Sequence, residues 1–265
     1  MKKGICIGSV PGSVLVEQFQ RAAACGFQAV EIMPLDGDAK RQEVRALAET
    51  HGLAVSSVMN ADHWQHPLSD PDPAVRQRGL EGIRTSIETA AAVGADTVLV
   101  VPATVTPDVT YEEAWDRSTE ALAEVLPLAE ERKVALAIEN VWNKFLLSPR
   151  DFVEYVDRFD SEFLGAYFDV GNIVLFGYPD HWIRSLGERI RKVHLKGFDA
   201  GRSAFTWLLE GTIDWERVVG ALREVGYDDC LTAELPQDEK DPVGRLQRIG
   251  ADMDYILSLG RRKKS

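Results

Sequence analysis

Short runs of consecutive apolar residues alternate along this chain with longer stretches whose apolar positions recur every three or four residues. The first pattern reads as strand and the second as amphipathic helix. "KGICIG" predicts the first strand, and "SVLVEQFQRAAACG" a helix that Gly26 stops. "FQAVEIM" predicts the second strand and "DAKRQEVRALAETHG" its helix, ending at Gly52. "LAVSSVM" predicts the third strand. A polar, aromatic loop, "NADHWQHPLSDPDP", follows it, then a helix from about Ala74 to Val93 before Gly94. "ADTVLVVP" predicts the fourth strand and "YEEAWDRSTEALAEVLPLAEERK" its helix, in which Pro127 predicts a kink or a break. "VALAIEN" predicts strand five. In the helix "SPRDFVEYVDRF" Ser148 is the cap and Pro149 takes the first position. "FLGAYFDV" and "IRKVHLK" predict strands six and seven, with a short helix around "HWIRSLG" between them. "DWERVVGALREVG" predicts a helix capped by Asp214, "CLTAELP" strand eight, and Asp241 to Leu259 the last helix.

Strict alternation of this kind means a parallel sheet in an α/β protein. Runs such as "TVLVV" and "VALAI" need apolar cover on both faces, which parallel sheets have. Eight strand–helix units of roughly 30 residues fit a single closed (β/α)8 barrel. An open doubly wound sheet should carry a glycine-rich phosphate loop after its first strand. "GSVPGS" puts a proline where that loop needs a free N–H. Residues 1–265 read as one domain, with 260–265 ("GRRKKS") as a flexible, solvated basic tail.

Composition narrows the field. No apolar run approaches the roughly 20 residues that span a bilayer, so a membrane role is not expected. "MKKGICIGSVPG" has too short an apolar stretch for a signal peptide. The three cysteines are far apart and form no CxxC pair, which suggests reduced thiols and a cytoplasmic location. A net charge of −12 repels phosphate backbones and argues against nucleic acid as a partner.

In a (β/α)8 barrel the chemistry sits at the C-terminal ends of the strands. There, strand five gives Glu139, strand six Asp169, strand seven His194 and strand eight Glu234. Singly, each has an ordinary reading: a carboxylate capping the next helix, or a core histidine on a backbone carbonyl. Together, three converging carboxylates would repel one another, and desolvating them would cost several kcal/mol each. One divalent cation removes both problems. Three carboxylates and one imidazole suit Mn²⁺, Mg²⁺, Co²⁺ or Zn²⁺.

Other residues reach the same mouth. Lys196 follows His194 by two and points to the same side. It is a candidate for a substrate hydroxyl or phosphate, or for a rim salt bridge. Glu31 ends strand two and is a candidate for substrate contact or for a structural contact with Lys196. The loop "NADHWQHP" brings His63, Trp64 and His66 where it could close over a sugar, with His63 a candidate substrate contact and Trp64 a candidate to stack on it; His63 and His66 read as solvated rather than as a second metal site. "VWNKF" offers Trp142 and Asn143 as pocket wall.

"IEN", "FDVGN", "VHLKGF", "GTIDW" and "TAEL", in this order at strand ends, resemble the xylose isomerase-like TIM barrels, the sugar phosphate isomerases/epimerases. The resemblance implies a divalent metal on Glu139, Asp169, His194 and Glu234. In the ketose 3-epimerase branch it further implies Glu139 and Glu234 as an acid/base pair on opposite faces of a sugar. A metal-stabilised enediolate would let one glutamate remove the proton beside the ketone and the other return one. The 3-epimerases carry a histidine three residues past the strand-six aspartate, where this chain has Asn172, a candidate substrate contact. They also carry an arginine shortly after the strand-seven histidine, which neither Lys196 nor Arg202 matches in position. The expected activity is therefore sugar epimerisation or isomerisation on a small sugar or sugar phosphate, with ketose 3-epimerisation in front. Aldose–ketose isomerisation, dehydration of a keto-cyclitol, or sugar binding without turnover are the alternatives. An abasic-site endonuclease of this fold wants three metals and more histidines than the five present. A homodimer is one assembly that small acidic barrels adopt.

Overall fold

A computed structural model describes residues 1–238 and 240–259; the expected basic tail, 260–265, lies outside the described residues. Eight parallel strands close into a barrel: β1 (Lys2–Cys6), β2 (Ala29–Ile32), β3 (Ala54–Met59), β4 (Thr97–Val100), β5 (Ala135–Glu139), β6 (Leu164–Asp169), β7 (Ile190–Leu195) and, pairing back onto β1, β10 (Cys230–Ala233). Between the last two lies an antiparallel hairpin, β8 (Gly197–Asp199) and β9 (Ala204–Thr206). The helices are α1 (Leu15–Ala24), α2 (Asp38–His51), α3 (Pro73–Val93), α4 (Tyr111–Arg132), α5 (Pro149–Asp157), α6 (Val170–Ile173), α7 (Pro179–Leu186), α8 (Trp215–Glu224) and α9 (Pro242–Ser258). The closed parallel (β/α)8 architecture is the one the alternation predicts.

Strands form where apolar residues run consecutively because both faces are covered. In β5 every residue is buried: Ala137 faces the barrel interior with Leu99, Val101 and Tyr167, while Leu136 and Ile138 belong to the layer under the helices. Helices start where a side chain satisfies free N–H groups. Thr110 and Glu113 form a reciprocal capping box on α4, and Ser148 Oγ accepts from Asp151 N on α5. Gly52 and Gly94 end α2 and α3 in the left-handed region, at φ 64° and 84°.

Of the kink or break expected at Pro127, the break does not occur: α4 runs unbroken through it. The proline deprives the Ala123 carbonyl of its partner, but both residues are exposed, so water takes over, while Leu122, Val125, Leu126 and Ala129 keep the other face packed. After β7 the chain carries the β8–β9 hairpin over the barrel mouth, an element the apolar pattern does not predict. No helix of the described residues is long and apolar enough to cross a membrane.

Candidate active site

The parallel register brings the four predicted donors to one level. Asp169 pairs with His194, and His194 with Thr232, two residues before Glu234; Glu139 pairs with Tyr167 in β6. One donor atom from each of Glu139, Asp169, His194 and Glu234 lies within 4.8 Å of the others. His194 Nδ1 is 3.2 Å from Glu139 Oε1 and 3.1 Å from Glu234 Oε2. Asp169 divides its carboxylate: Oδ1 accepts from Asn172 N at 2.7 Å and caps α6, which frees Oδ2 for the mouth. Helix capping and the metal reading are thus both compatible with this residue, one on each oxygen.

Lys196 stands among these groups, its Nζ 2.8 Å from Glu234 Oε2 and 3.2 Å from Asp169 Oδ2. Its ion pairs are at the heart of the cluster rather than at the barrel rim. On the opposite side of the imidazole, His194 Nε2 is 2.8 Å from Glu31 Oε1. Tyr167 OH and Ser57 Oγ donate to Glu31 Oε2 at 2.6 and 2.7 Å. Glu31 is therefore a buried partner of His194, and its expected pairing with Lys196 is not what the structure shows.

Burial raises the cost of every charge here. It pushes the Glu139 carboxyl up to about 7, against the pull of His194 and Lys196, and it raises Asp169 despite Lys196. At Glu234 and Glu31 burial acts the same way but is outweighed, by His194 and Lys196 in the first case and by His194, Tyr167 and Ser57 in the second, so both carboxyls fall. Burial opposes the positive charges of His194 and Lys196, yet Tyr167, Glu31, Cys6 and Glu234 hold the first, and Asp169, Glu139 and Glu234 the second, well above their usual values. These directions belong to the side chains alone; a cation among them would draw every carboxyl down.

The site fits a divalent cation on two observations. Asp169 Oδ2 and Glu234 Oε2 are buried atoms, and beyond their ion pairs with Lys196 and, for Glu234, His194, neither accepts a hydrogen bond. Four carboxyl groups, Glu31 included, face two cationic side chains, Lys196 and His194, at a site where Glu31, Glu139, Asp169 and His194 are buried. Glu139, Asp169, His194 and Glu234 are the residues that would hold the ion, and their oxygen-rich set suits the harder divalent metals.

A cavity of about 620 Å³ opens beside the cluster, lined by Glu31, Lys196 and Glu234 and by an apolar wall that includes Met33, Met59, Phe205 and Trp207. The aromatic pair of the wall was not anticipated. Phe205 comes from the hairpin, lies 5.7 Å from Lys196 Nζ and stacks on Trp142 at 4.9 Å. Several expected substrate contacts sit elsewhere. Asn143 Nδ2 donates to Ala103 O at 2.8 Å, and Asn172 Nδ2 to Asn140 O at 2.9 Å, so both amides brace loops. Trp142 Nε1 donates to Asn172 O, and its ring backs Phe205 rather than the cavity. Trp64 is half exposed, off the cavity wall, with His63 edge-on at 5.4 Å. His63, a candidate substrate contact in a loop expected in solvent, is buried and off the cavity wall; that burial pushes its imidazole down to about 4, with Glu234 pulling the other way.

Comparison with known proteins bears on this arrangement. The chain is 28% identical over 254 residues to L-ribulose-5-phosphate 3-epimerase UlaE of Escherichia coli O1:K1 / APEC, covering 89% of this chain and 88% of that one. It is equally similar to the protein of the same name from Salmonella paratyphi A, over 232 residues, 82% of this chain and 80% of that one. Among solved structures, the fold is shared with 3-keto-D-glucoside 4-epimerase YcjR from E. coli (TM-score 0.84, 18% identity, 96% and 99% of the two chains). It is shared likewise with a D-tagatose 3-epimerase-like protein (TM-score 0.82, 21% identity, 97% and 98%). These relatives are sugar epimerases, enzymes of the isomerase class. Residues 19–259, which hold every barrel strand after β1, match the model of one family, and this chain belongs to it: the xylose isomerase-like TIM barrels.

Proposed function

We propose that this protein is a divalent-metal-dependent ketose epimerase that inverts the carbon beside the ketone, C3, of a small sugar or sugar phosphate. The observation that carries the reading is the convergence of Glu139 and Glu234 on one imidazole, with Asp169, inside a 4.8 Å cluster beside the cavity. The names of the relatives support epimerisation, and the donor set supports the metal.

A proton next to a ketone is too weakly acidic for an unaided carboxylate. A divalent cation held by Glu139, Asp169, His194 and Glu234 would supply the missing charge stabilisation. The chain's own residues do the rest. One of Glu139 and Glu234 takes the proton from C3, and the other delivers a proton to the opposite face. Position matters more than an unusual pKa, because both carboxylates are held by His194 before substrate arrives. Lys196, which bonds Glu234, keeps that carboxylate ionised and limits its motion. Phe205 and Trp207 shield the reacting carbons from bulk water.

The test is a panel of ketoses and ketose phosphates incubated with Mn²⁺-loaded protein in D₂O. The expected result is deuterium at C3 together with the C3 epimer. An aldose product would mean aldose–ketose isomerisation, loss of water a dehydratase, and the absence of exchange with every sugar that binds would reduce the barrel to a binder.

A further inference from the structure

We propose that Glu31 is the positioning residue of the candidate metal centre: it grips His194 Nε2 and so turns Nδ1 toward Glu139, Asp169 and Glu234. The inference rests on the metal reading above and assigns a role to a carboxylate that the proton transfer does not use.

Glu31 lines the cavity, but both its carboxylate oxygens are already engaged. A fully desolvated carboxylate costs several kcal/mol unless its oxygens are satisfied, and Glu31 is 1% exposed. One of its oxygens is engaged by the imidazole and the other is fixed by two hydroxyls. Oε1 accepts from His194 Nε2 at 2.8 Å, with Cys6 Sγ at 3.2 Å. Oε2 is held by Tyr167 OH and Ser57 Oγ. Four barrel strands besides β7 thus contribute to fixing one ring. The backbone is shaped for it. The β2–β3 register shifts between Val30 and Glu31, and the β6–β7 register between Ala166 and Tyr167. The extra residue is Ser56 on β3 and Arg191 on β7, so Glu31 stands opposite Ser57, which bonds it, and Asp169 stands opposite His194.

The consequence is a preorganised ligand. With Nε2–H donating to Glu31, the ring cannot flip without breaking the strongest contact it has, and Nδ1 stays at 3.1–3.2 Å from two of the other donors. An outer carboxylate on a ligating histidine sets ring orientation and basicity, and its loss usually weakens metal affinity about 10–100-fold.

The experiment measures Mn²⁺ affinity from the EPR signal of free Mn²⁺, with circular dichroism reporting folding, for wild type, Glu31→Ala, Glu31→Gln and Tyr167→Phe. Glu31→Ala is expected to bind Mn²⁺ about 10–100-fold more weakly. Glu31→Gln keeps an acceptor for Nε2–H, while Tyr167 and Ser57 can rotate to accept from its amide, so it should bind close to wild type. Tyr167→Phe frees one oxygen only and should weaken binding less than Glu31→Ala. A folded Glu31→Ala with wild-type Mn²⁺ affinity overturns the proposal, as does a Glu31→Gln no better than alanine. If the alanine variant does not fold, unchanged affinity in a Tyr167→Phe, Ser57→Ala double variant overturns it instead. Failure of wild type itself to bind Mn²⁺ is a different result: it removes the metal reading, and the positioning role with it.

Discussion

Lys196 Nζ stands 2.8 Å from Glu234 Oε2, the same oxygen that His194 Nδ1 approaches at 3.1 Å. A lysine therefore occupies part of the coordination sphere that the four donors offer to a cation. A metal ion held here would share Asp169 and Glu234 with Lys196 rather than displace it, because the carboxyl groups outnumber the cationic side chains. Lys196→Met should destabilise the metal-free protein by roughly 3 kcal/mol, the low end for a broken buried pair because Glu234 is 30% exposed. Saturating Mn²⁺ should recover much of that loss by binding the folded state. Denaturant titrations with and without Mn²⁺ check this; equal losses in both would show that the lysine and the metal do not share charge.

The acid/base pair makes a directional prediction. If Glu139 serves one face of the sugar and Glu234 the other, each single Gln variant loses epimerisation by at least about 10²-fold. Each should nevertheless keep some hydrogen exchange with solvent for one epimer, the one whose C–H faces the surviving glutamate, and the two variants should differ in which epimer that is. NMR of C3 deuteration, at Mn²⁺ concentrations high enough to offset the lost ligand charge, reads this directly. Exchange of both epimers by either variant would falsify the two-face assignment.

How far the sequence reaches is clearest at particular residues. Glu139, Asp169 and His194 could be placed because each lies at or near the end of an unmistakable apolar run, and a barrel sends all such ends to one mouth. Glu31 lies in the same kind of position, but its role depends on the shifted β2–β3 register, which is set by tertiary pairing and leaves no mark in "FQAVEIM". Tyr167 is invisible for the opposite reason: inside "LGAYFD" it reads as one more core residue, and only the structure shows its hydroxyl on Glu31. The hairpin escapes because its strands are three residues long and β9 is largely exposed, so neither periodicity nor hydrophobicity marks it. Asn143 and Asn172 sit beside strand ends, as a substrate contact would, and only their backbone partners reveal that their amides are already in use.

The hairpin gives a prediction about the cavity wall. A Cβ on Gly197 would collide with Trp207 O and come within 2.6 Å of Thr206 O, both backbone atoms that cannot swing aside. Gly197→Ala should therefore push β9 and Phe205 away from Lys196, costing roughly 1–3 kcal/mol as an overpacked contact. Because Phe205 walls the cavity but holds none of the four donors, Mn²⁺ affinity should stay near wild type while substrate KM rises. Calorimetric melting, Mn²⁺ titration and initial rates separate the three effects; a variant with weakened Mn²⁺ binding would place the hairpin in the metal centre after all.

His63 sets a pH dependence of stability whose sign can be worked out. Burial pushes its folded-state pKa down to about 4, from an ordinary value of about 6.5 in the unfolded chain. Between those values the unfolded state holds the proton and the folded state does not, so stability falls as pH drops through this window and is fully present above it. The depression of about 2.5 units corresponds to roughly 3 kcal/mol at the acid end of the window. Carboxylates elsewhere also titrate on acidification, so the informative quantity is the difference between wild type and His63→Gln, which cannot take up the proton. Denaturant midpoints at pH 7.5, 6, 5 and 4 should show wild type losing its advantage over the variant as pH falls. A constant difference across the series would mean that the His63 ring is protonated in place, with Glu234 rather than burial deciding its charge.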